Sequence, residues 1–133
     1  MKHDPLRLDR GLSLRLERIG QDFLADILER ETARHPDNLA ALSDLAHALT
    51  LLGRLEDGLA VDRRLVRLEP ENPVLHYNLA CSLALLERTD EAFEVLHRAV
   101  EVGYDDLEHL LQDEDLANLR GDSRYDELVA LLR

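Results

Sequence analysis

Apolar residues recur through the centre of this chain at the three- and four-residue spacing of an α-helix. The spacing predicts four successive helices, over residues 39–52, over 55–68, from residue 73, and from residue 90 to about 100. Residues that favour helix ends follow three of these patterns, namely Gly53, Pro70 and Gly103. The centre of the chain is therefore predicted to fold as two antiparallel helix pairs.

The two helix pairs repeat with a period of 34 residues. A shift of 34 places Pro36 on Pro70 and Leu49 on Leu83, with many similar matches between them. Such a period is typical of a helix–turn–helix unit that cannot bury its own apolar face and must stack on a neighbour. We therefore expect stacked repeats over residues 36–69 and 70–103, sharing one continuous apolar core.

The flanking segments are predicted to complete the same single domain, over residues 1–133. Apolar residues predict a helix over residues 21–34, within a degenerate helical region 1–35. Two alternatives stay open for residues 1–20: a helix that starts near Asp4, or a short hairpin around Gly11. The helix is favoured because a lone hairpin is marginally stable. Residues 104–133 are predicted to form a helical C-terminal cap, with a final helix that begins near Ser123.

The repeated residues resemble the tetratricopeptide repeat family. The similarity rests on Leu45, Ala46, Leu49, Gly53, Gly58 and Pro70, and on Leu79, Ala80, Leu83, Ala92, Leu96 and Ala99. It implies an all-α fold of antiparallel helix pairs stacked as a short right-handed solenoid, with about two clear repeats plus helical caps. The C-terminal segment resembles a closing segment common after such repeats in bacterial proteins. Three positions depart from the family pattern: His76, Glu87 and Asp62, the last of which predicts a less deeply buried second helix.

Charge limits the classes of partner. The net charge of −12 grows towards the C-terminus, because residues 1–35 hold seven acids and seven bases whereas residues 101–133 hold ten acids and three bases. Such a chain repels phosphate backbones and anionic membranes, so we expect neither nucleic acid nor membrane as a partner. A basic protein partner fits better. The single cysteine and the absence of a signal-like apolar run predict a cytoplasmic protein.

The family resemblance also implies a concave groove lined by the first helix of each repeat. Mapped by position, the predicted partner-binding residues are Ser43, Asp44, His47, Tyr77, Asn78 and Cys81. Tyr77 fits two roles, an amphipathic anchor for a bound peptide or a packing residue, and the hypothesis of a groove-bound peptide takes it as the anchor. In the same hypothesis Asn78 hydrogen-bonds the backbone of the peptide. Because these positions hold no lysine or arginine, a clamp for peptide carboxylates is not expected.

Catalytic and metal chemistry find little support in the sequence. No phosphate-binding glycine loop, GxSxG or HExxH motif occurs, and the histidines do not pair at metal-binding spacing. Cys81 and His47 could mimic a nucleophile and its base, but a small buried cysteine is the favoured interpretation. The acidic run at Asp113 lacks the glycine and glutamate of a calcium loop. No enzymatic activity, metal or cofactor is therefore predicted.

The sequence predicts a small adaptor or scaffold that binds a peptide or protein segment in its groove. Two other functions stay open: a secretion-type chaperone for an export substrate, and a regulatory or accessory subunit of an enzyme. Association into a homo-oligomer is compatible with all three functions.

Overall fold

The computed structural model describes residues 9–133, and this part of the chain contains helices and no strand. The helices are α1 (Arg10–Arg34), α2 (Leu39–Leu51), α3 (Leu55–Leu68), α4 (Pro73–Leu85), α5 (Thr89–Glu101), α6 (Leu107–Gln112), a 3₁₀ helix (Glu114–Leu119) and α7 (Ser123–Leu132). The all-α prediction is thus confirmed for the described residues. From α1 to α5, each helix packs against the next one along the chain. The 3₁₀ helix packs on α4 and α7 packs on α5, so the C-terminal segment covers the last helix pair.

The N-terminal segment is one helix rather than a hairpin followed by a helix. Asp9 caps α1, because its carboxylate accepts hydrogen bonds from the backbone N–H groups of Gly11 and Leu12. The helical alternative is therefore confirmed for residues 10–20, and the hairpin around Gly11 is wrong. The predicted helix start near Asp4 lies outside the described residues.

The 34-residue period is present in the local geometry as well as in the sequence. Helices α2 and α4 both have 13 residues, and each is capped by an asparagine whose side-chain oxygen accepts from the first turn. Asn38 accepts from the N–H of Ala41, and Asn72 accepts from that of Val74. Each helix also starts at the predicted position, since capping and hydrophobic spacing mark the same boundary.

The turns that end α2 and α4 have the same shape but different residues. Gly53 has a φ of 76°, and Glu87, which stands 34 residues later, has a φ of 59°. Both values lie in the left-handed region, where the backbone is strained for a residue with a Cβ atom but not for glycine. Glu87 is exposed, so its side chain gains little there from packing.

We expect Glu87→Gly to stabilise the protein by about 0.5–1 kcal/mol, since relief of the left-handed strain exceeds the entropy gained by the unfolded chain. The matched change Gly53→Ala should destabilise by about 1 kcal/mol. Urea denaturation of both variants measures the two effects. A loss of stability in Glu87→Gly would contradict this explanation of the turn.

The buried apolar side chains form two clusters, not the one continuous core predicted from the repeat. One cluster joins α1, α2 and α3, and the other joins α4, α5 and the C-terminal segment. The first cluster also contains Leu75 of α4, and the second also contains Leu59 of α3. Val66 packs against both clusters. A buried polar pair, Asp62 and Ser82, lies between α3 and α4 and separates the two apolar regions.

Candidate functional site

A cavity of about 310 Å³ lies between α2 and α4 and is bounded on one side by the residues that follow α6. The lining residues are Ser43, Ala46, His47, Thr50, Asp62, Leu65, Tyr77, Asn78, Cys81, Ser82, Leu85, His109, Asp113 and Asp115. Five of the six predicted groove residues are thus brought together around one space. Asp44 is the exception, because it is exposed on α2 but does not line the cavity.

Helical spacing explains which side chains meet at the cavity. Ser43, His47 and Thr50 follow one another at intervals of four and three residues along one face of α2. Tyr77, Cys81 and Leu85 follow one another at intervals of four residues along one face of α4. Ser43, His47 and Asn78 are exposed and accessible to a ligand, whereas Tyr77 and Cys81 are buried.

Tyr77 is held by the C-terminal segment, so it is not the free anchor that the sequence suggested. Its ring stacks on that of Tyr104 with centroids 4.4 Å apart, and its hydroxyl donates to Oδ2 of Asp113 at 2.6 Å. Nε2 of His109 lies 3.3 Å from the same carboxylate oxygen. The tyrosine is only 3% exposed as a result. The C-terminal cap folds over this part of the groove, which the repeat pattern alone does not reveal.

Cys81 has the environment of a packed thiol rather than of a nucleophile. Burial is the main cause that raises its pKa, and the nearby carboxylates of Asp113 and Asp115 raise it further. The thiol Sγ lies 3.6 Å from Oδ2 of Asp113, to which it donates. His47, the predicted base, is exposed on the facing helix. The structural role favoured from the sequence therefore accounts for this cysteine.

Asp62 is deeply buried, contrary to the expectation that α3 would be less covered at this position. It is 5% exposed, and the hydroxyl of Ser82 donates to its Oδ2 atom. Burial raises the pKa of this carboxyl group to about 6, although the hydrogen bond from Ser82 opposes the shift. Asp62 thus places a buried acid in the wall of the cavity.

This pKa predicts how the stability of the protein depends on pH. Because the folded-state pKa lies above the ordinary value of 3.8 for an aspartate, unfolding releases protons between about pH 4 and 6, and stability falls as the pH rises through that window. The neutral isostere in Asp62→Asn should therefore stabilise the protein at pH 7–8, by about 1–3 kcal/mol. At pH 4 the same variant should match the wild type within about 0.5 kcal/mol. Urea denaturation at the two pH values measures the difference, and an equal effect at both would refute this assignment.

Three carboxylates, Asp62, Asp113 and Asp115, line the cavity, whereas its lining includes neither lysine nor arginine. The pKa of Asp115 is raised by burial and by the charge of Asp113. The charge of Asp113 thus makes the potential at Asp115 more negative, and His109 offsets part of this effect. Such a site favours a positively charged group, for example an ammonium or a guanidinium. Sequence analysis missed this cluster because residues 62 and 113–115 meet only in the tertiary structure.

Cys81, Asp113 and Asp115 also bring one ligand atom each to within 4.8 Å of one another, a spacing that a metal ion could span. The donor set fits an ion poorly. The thiol is held protonated, and one oxygen of Asp113 already accepts from Tyr77. Zinc prefers thiolate or imidazole ligands, and calcium needs six or more oxygens.

We therefore expect EDTA to leave the thermal midpoint of the protein unchanged, because Cys81, Asp113 and Asp115 do not make a complete metal site. Differential scanning fluorimetry with EDTA, and then with added zinc or calcium, measures the thermal midpoint under each condition. A midpoint that drops by several degrees in EDTA and returns with one ion would show that a metal is bound.

No protein-family model matches the chain, and no curated protein matches it. Among residues 9–133, no helix has both the length and the apolar character that crossing a bilayer requires.

Proposed function

We propose that this chain is a protein-binding adaptor that holds a partner segment in the groove between α2 and α4, with one lysine or arginine side chain of that segment in the cavity. The observation that carries the proposal is the set of three carboxylates, Asp62, Asp113 and Asp115, around one cavity. A cationic side chain would lower the raised pKa values of Asp62 and Asp115 and relieve the repulsion between Asp113 and Asp115.

The size and lining of the cavity suit a long cationic side chain. Its volume of about 310 Å³ lies at the lower end of the range for ligand pockets. Apolar walls from Leu65 and Leu85 match the aliphatic stem of such a side chain, while the carboxylates match its charged end. Ser43 and Asn78 are exposed beside the cavity, where they can hydrogen-bond the backbone of the partner.

The charge of the whole protein supports the same class of partner. A net charge of −12 attracts basic segments over long range and raises their association rate. Binding should therefore weaken as the salt concentration rises. Asp44, although outside the cavity, lies next to Ser43 on α2 and adds to this attraction.

We further propose that α2–α3 and α4–α5 are two tetratricopeptide-type repeats of a short right-handed solenoid. The support is the 34-residue offset shared by the helix starts, the asparagine caps and the left-handed turns. The single cysteine, which cannot form an internal disulfide, supports a cytoplasmic location.

Selection from a displayed library of random peptides tests the proposed function. Wild-type protein should enrich peptides that contain lysine or arginine. The variant Ser43→Arg places a guanidinium at the edge of the cavity and should lose that enrichment, because its own cation competes for the carboxylates. Ala130→Arg adds the same charge on the exposed surface of α7 and should behave as wild type.

Two outcomes would contradict the proposal: enrichment that does not depend on basic residues, or equal enrichment by both variants and the wild type. In the second case the binding surface lies outside the groove. That result would favour the two other functions, an export chaperone or a subunit of an enzyme.

A further inference from the structure

Helix α1 carries two apolar faces, and the rest of the described chain covers only one of them, along the C-terminal part of the helix. Ala25, Leu28 and Thr32 are buried against α2. A second stripe, spaced by four, three, four and four residues, lies on the opposite side of the helix, since 3.6 residues make one turn. Its members are Leu12, Leu16, Ile19, Phe23 and Ile27, and they are between 39% and 67% exposed. We call these five residues the α1 stripe.

An exposed apolar surface of this extent indicates an interaction site. Five side chains at these exposures leave on the order of 500 Å² of apolar surface open, which is at the upper end for a monomer. With the flanking polar residues, the surface approaches the roughly 800 Å² per partner of a standard protein interface. The side of α1 that carries the stripe faces away from α2, so the body of the protein does not obstruct it.

We propose that the α1 stripe binds the α1 stripe of a second copy of this chain, with the two helices antiparallel around a two-fold axis near residues 17 and 18. In that register Leu16 faces Ile19 of the other copy, and Leu12 faces Phe23. Each of these two layers then occurs twice by the symmetry, as an isologous interface requires, and Ile27 lies beyond them at the end of the seam. From Leu12 to Phe23, the spacing of four, three and four residues is that of a helix seam packed knobs-into-holes.

Charges along the stripe favour a second copy in this orientation. Arg15 and Asp22 each precede a stripe residue, Leu16 and Phe23, and so occupy the same edge of the seam. The antiparallel register brings Arg15 of each copy next to Asp22 of the other, which gives two equivalent ion pairs. Parallel helices would not make these pairs.

The charge distribution of the whole chain points to the same contact. Residues 1–35 contain seven acids and seven bases, while the remainder carries the entire net charge of −12. The surface around α1 is therefore the region where two copies approach with least electrostatic repulsion. An association through the acidic C-terminal part would meet much stronger repulsion.

Sedimentation equilibrium of the full chain tests the proposal and should give twice the monomer mass. Ile19→Glu places one acid from each copy in the apolar seam, opposite Leu16 of the other copy. The variant should weaken the dimer by roughly a hundredfold or more. Leu131→Glu, at a residue of α7 that is 60% exposed, is the matched control and should remain a dimer. Wild-type protein that is monomeric at all concentrations, or an Ile19→Glu variant that is as dimeric as wild type, would overturn the proposal.

A charge exchange tests the orientation with variants that leave the apolar stripe intact. Arg15→Asp should weaken the dimer by about tenfold, because each ion pair becomes a repulsive pair of acids. Adding Asp22→Arg to the same chain restores both pairs and should restore the affinity. If the double variant is no tighter than Arg15→Asp alone, the antiparallel register is wrong.

Discussion

Replacing Tyr77 by alanine should lower the free energy of unfolding by about 3–5 kcal/mol, the range for truncation of a buried aromatic residue. The change removes the ring that stacks on Tyr104 and leaves Asp113 without the hydroxyl that donates to it. Because these contacts join α4 to the C-terminal segment, we also expect that segment to exchange its amide hydrogens faster. Urea denaturation and hydrogen exchange measure the two effects.

Two control variants separate the contributions of Tyr77. Tyr77→Phe keeps the ring and should cost only about 1–3 kcal/mol, because it removes the hydroxyl that donates to Asp113. Val74→Ala changes an exposed residue on the same helix and should cost less than about 0.5 kcal/mol. A stability of Tyr77→Ala within 1 kcal/mol of wild type would mean that the cap is not held in this way.

Phe93→Ala should destabilise the protein by a similar amount, about 3–5 kcal/mol. Phe93 is among the largest fully buried side chains, and it lies in the cluster formed by α4, α5 and the C-terminal segment. The guanidinium of Arg124 also lies 4.4 Å from the centre of its ring. Truncation would leave a cavity and remove this contact between α5 and α7.

Leu131→Ala is the control for Phe93→Ala, since Leu131 is a large apolar residue that is mostly exposed. It should change the free energy of unfolding by less than about 0.5 kcal/mol. Equal effects of the two substitutions in urea denaturation would contradict the packing described for α5 and α7.

The sequence predicted helices α2 to α5 closely because several local signals coincide at their ends. At the start of α4, for example, the cap residue Asn72, the first-turn proline Pro73 and the hydrophobic spacing all mark the same boundary. The residues before Gln21 gave a weaker signal, since apolar residues there fit both a helix and an alternating strand. The α1 stripe explains that ambiguity, because a helix that is apolar on two faces loses its clear periodicity.

The groove was predictable only as far as the repeat extends. Ser43, His47, Tyr77, Asn78 and Cys81 meet at the cavity because the repeat places them on facing sides of α2 and α4. Their environment was not predictable, because it depends on contacts between residues more than 30 positions apart. The contact of Tyr77 with Asp113 is one such case.

Asp62 shows the limit of reasoning from a single position. A charged residue at an apolar position was interpreted as a sign of exposure, because burial of an unpaired acid is costly. The structure instead buries it beside the hydroxyl of Ser82, which stands on the neighbouring helix. Twenty residues separate the two side chains, so only the fold reveals this pairing.

The most direct test of the proposed basic ligand is an NMR titration of the protein with a short blocked peptide that contains one arginine. A peptide in which citrulline replaces the arginine keeps the shape and removes the charge. We predict that the arginine peptide shifts the amide signals of Ser43, Asn78, Cys81 and Asp115 in a saturable way, and that the citrulline peptide does not. Equal shifts with both peptides, or shifts confined to residues away from the cavity, would contradict the proposal.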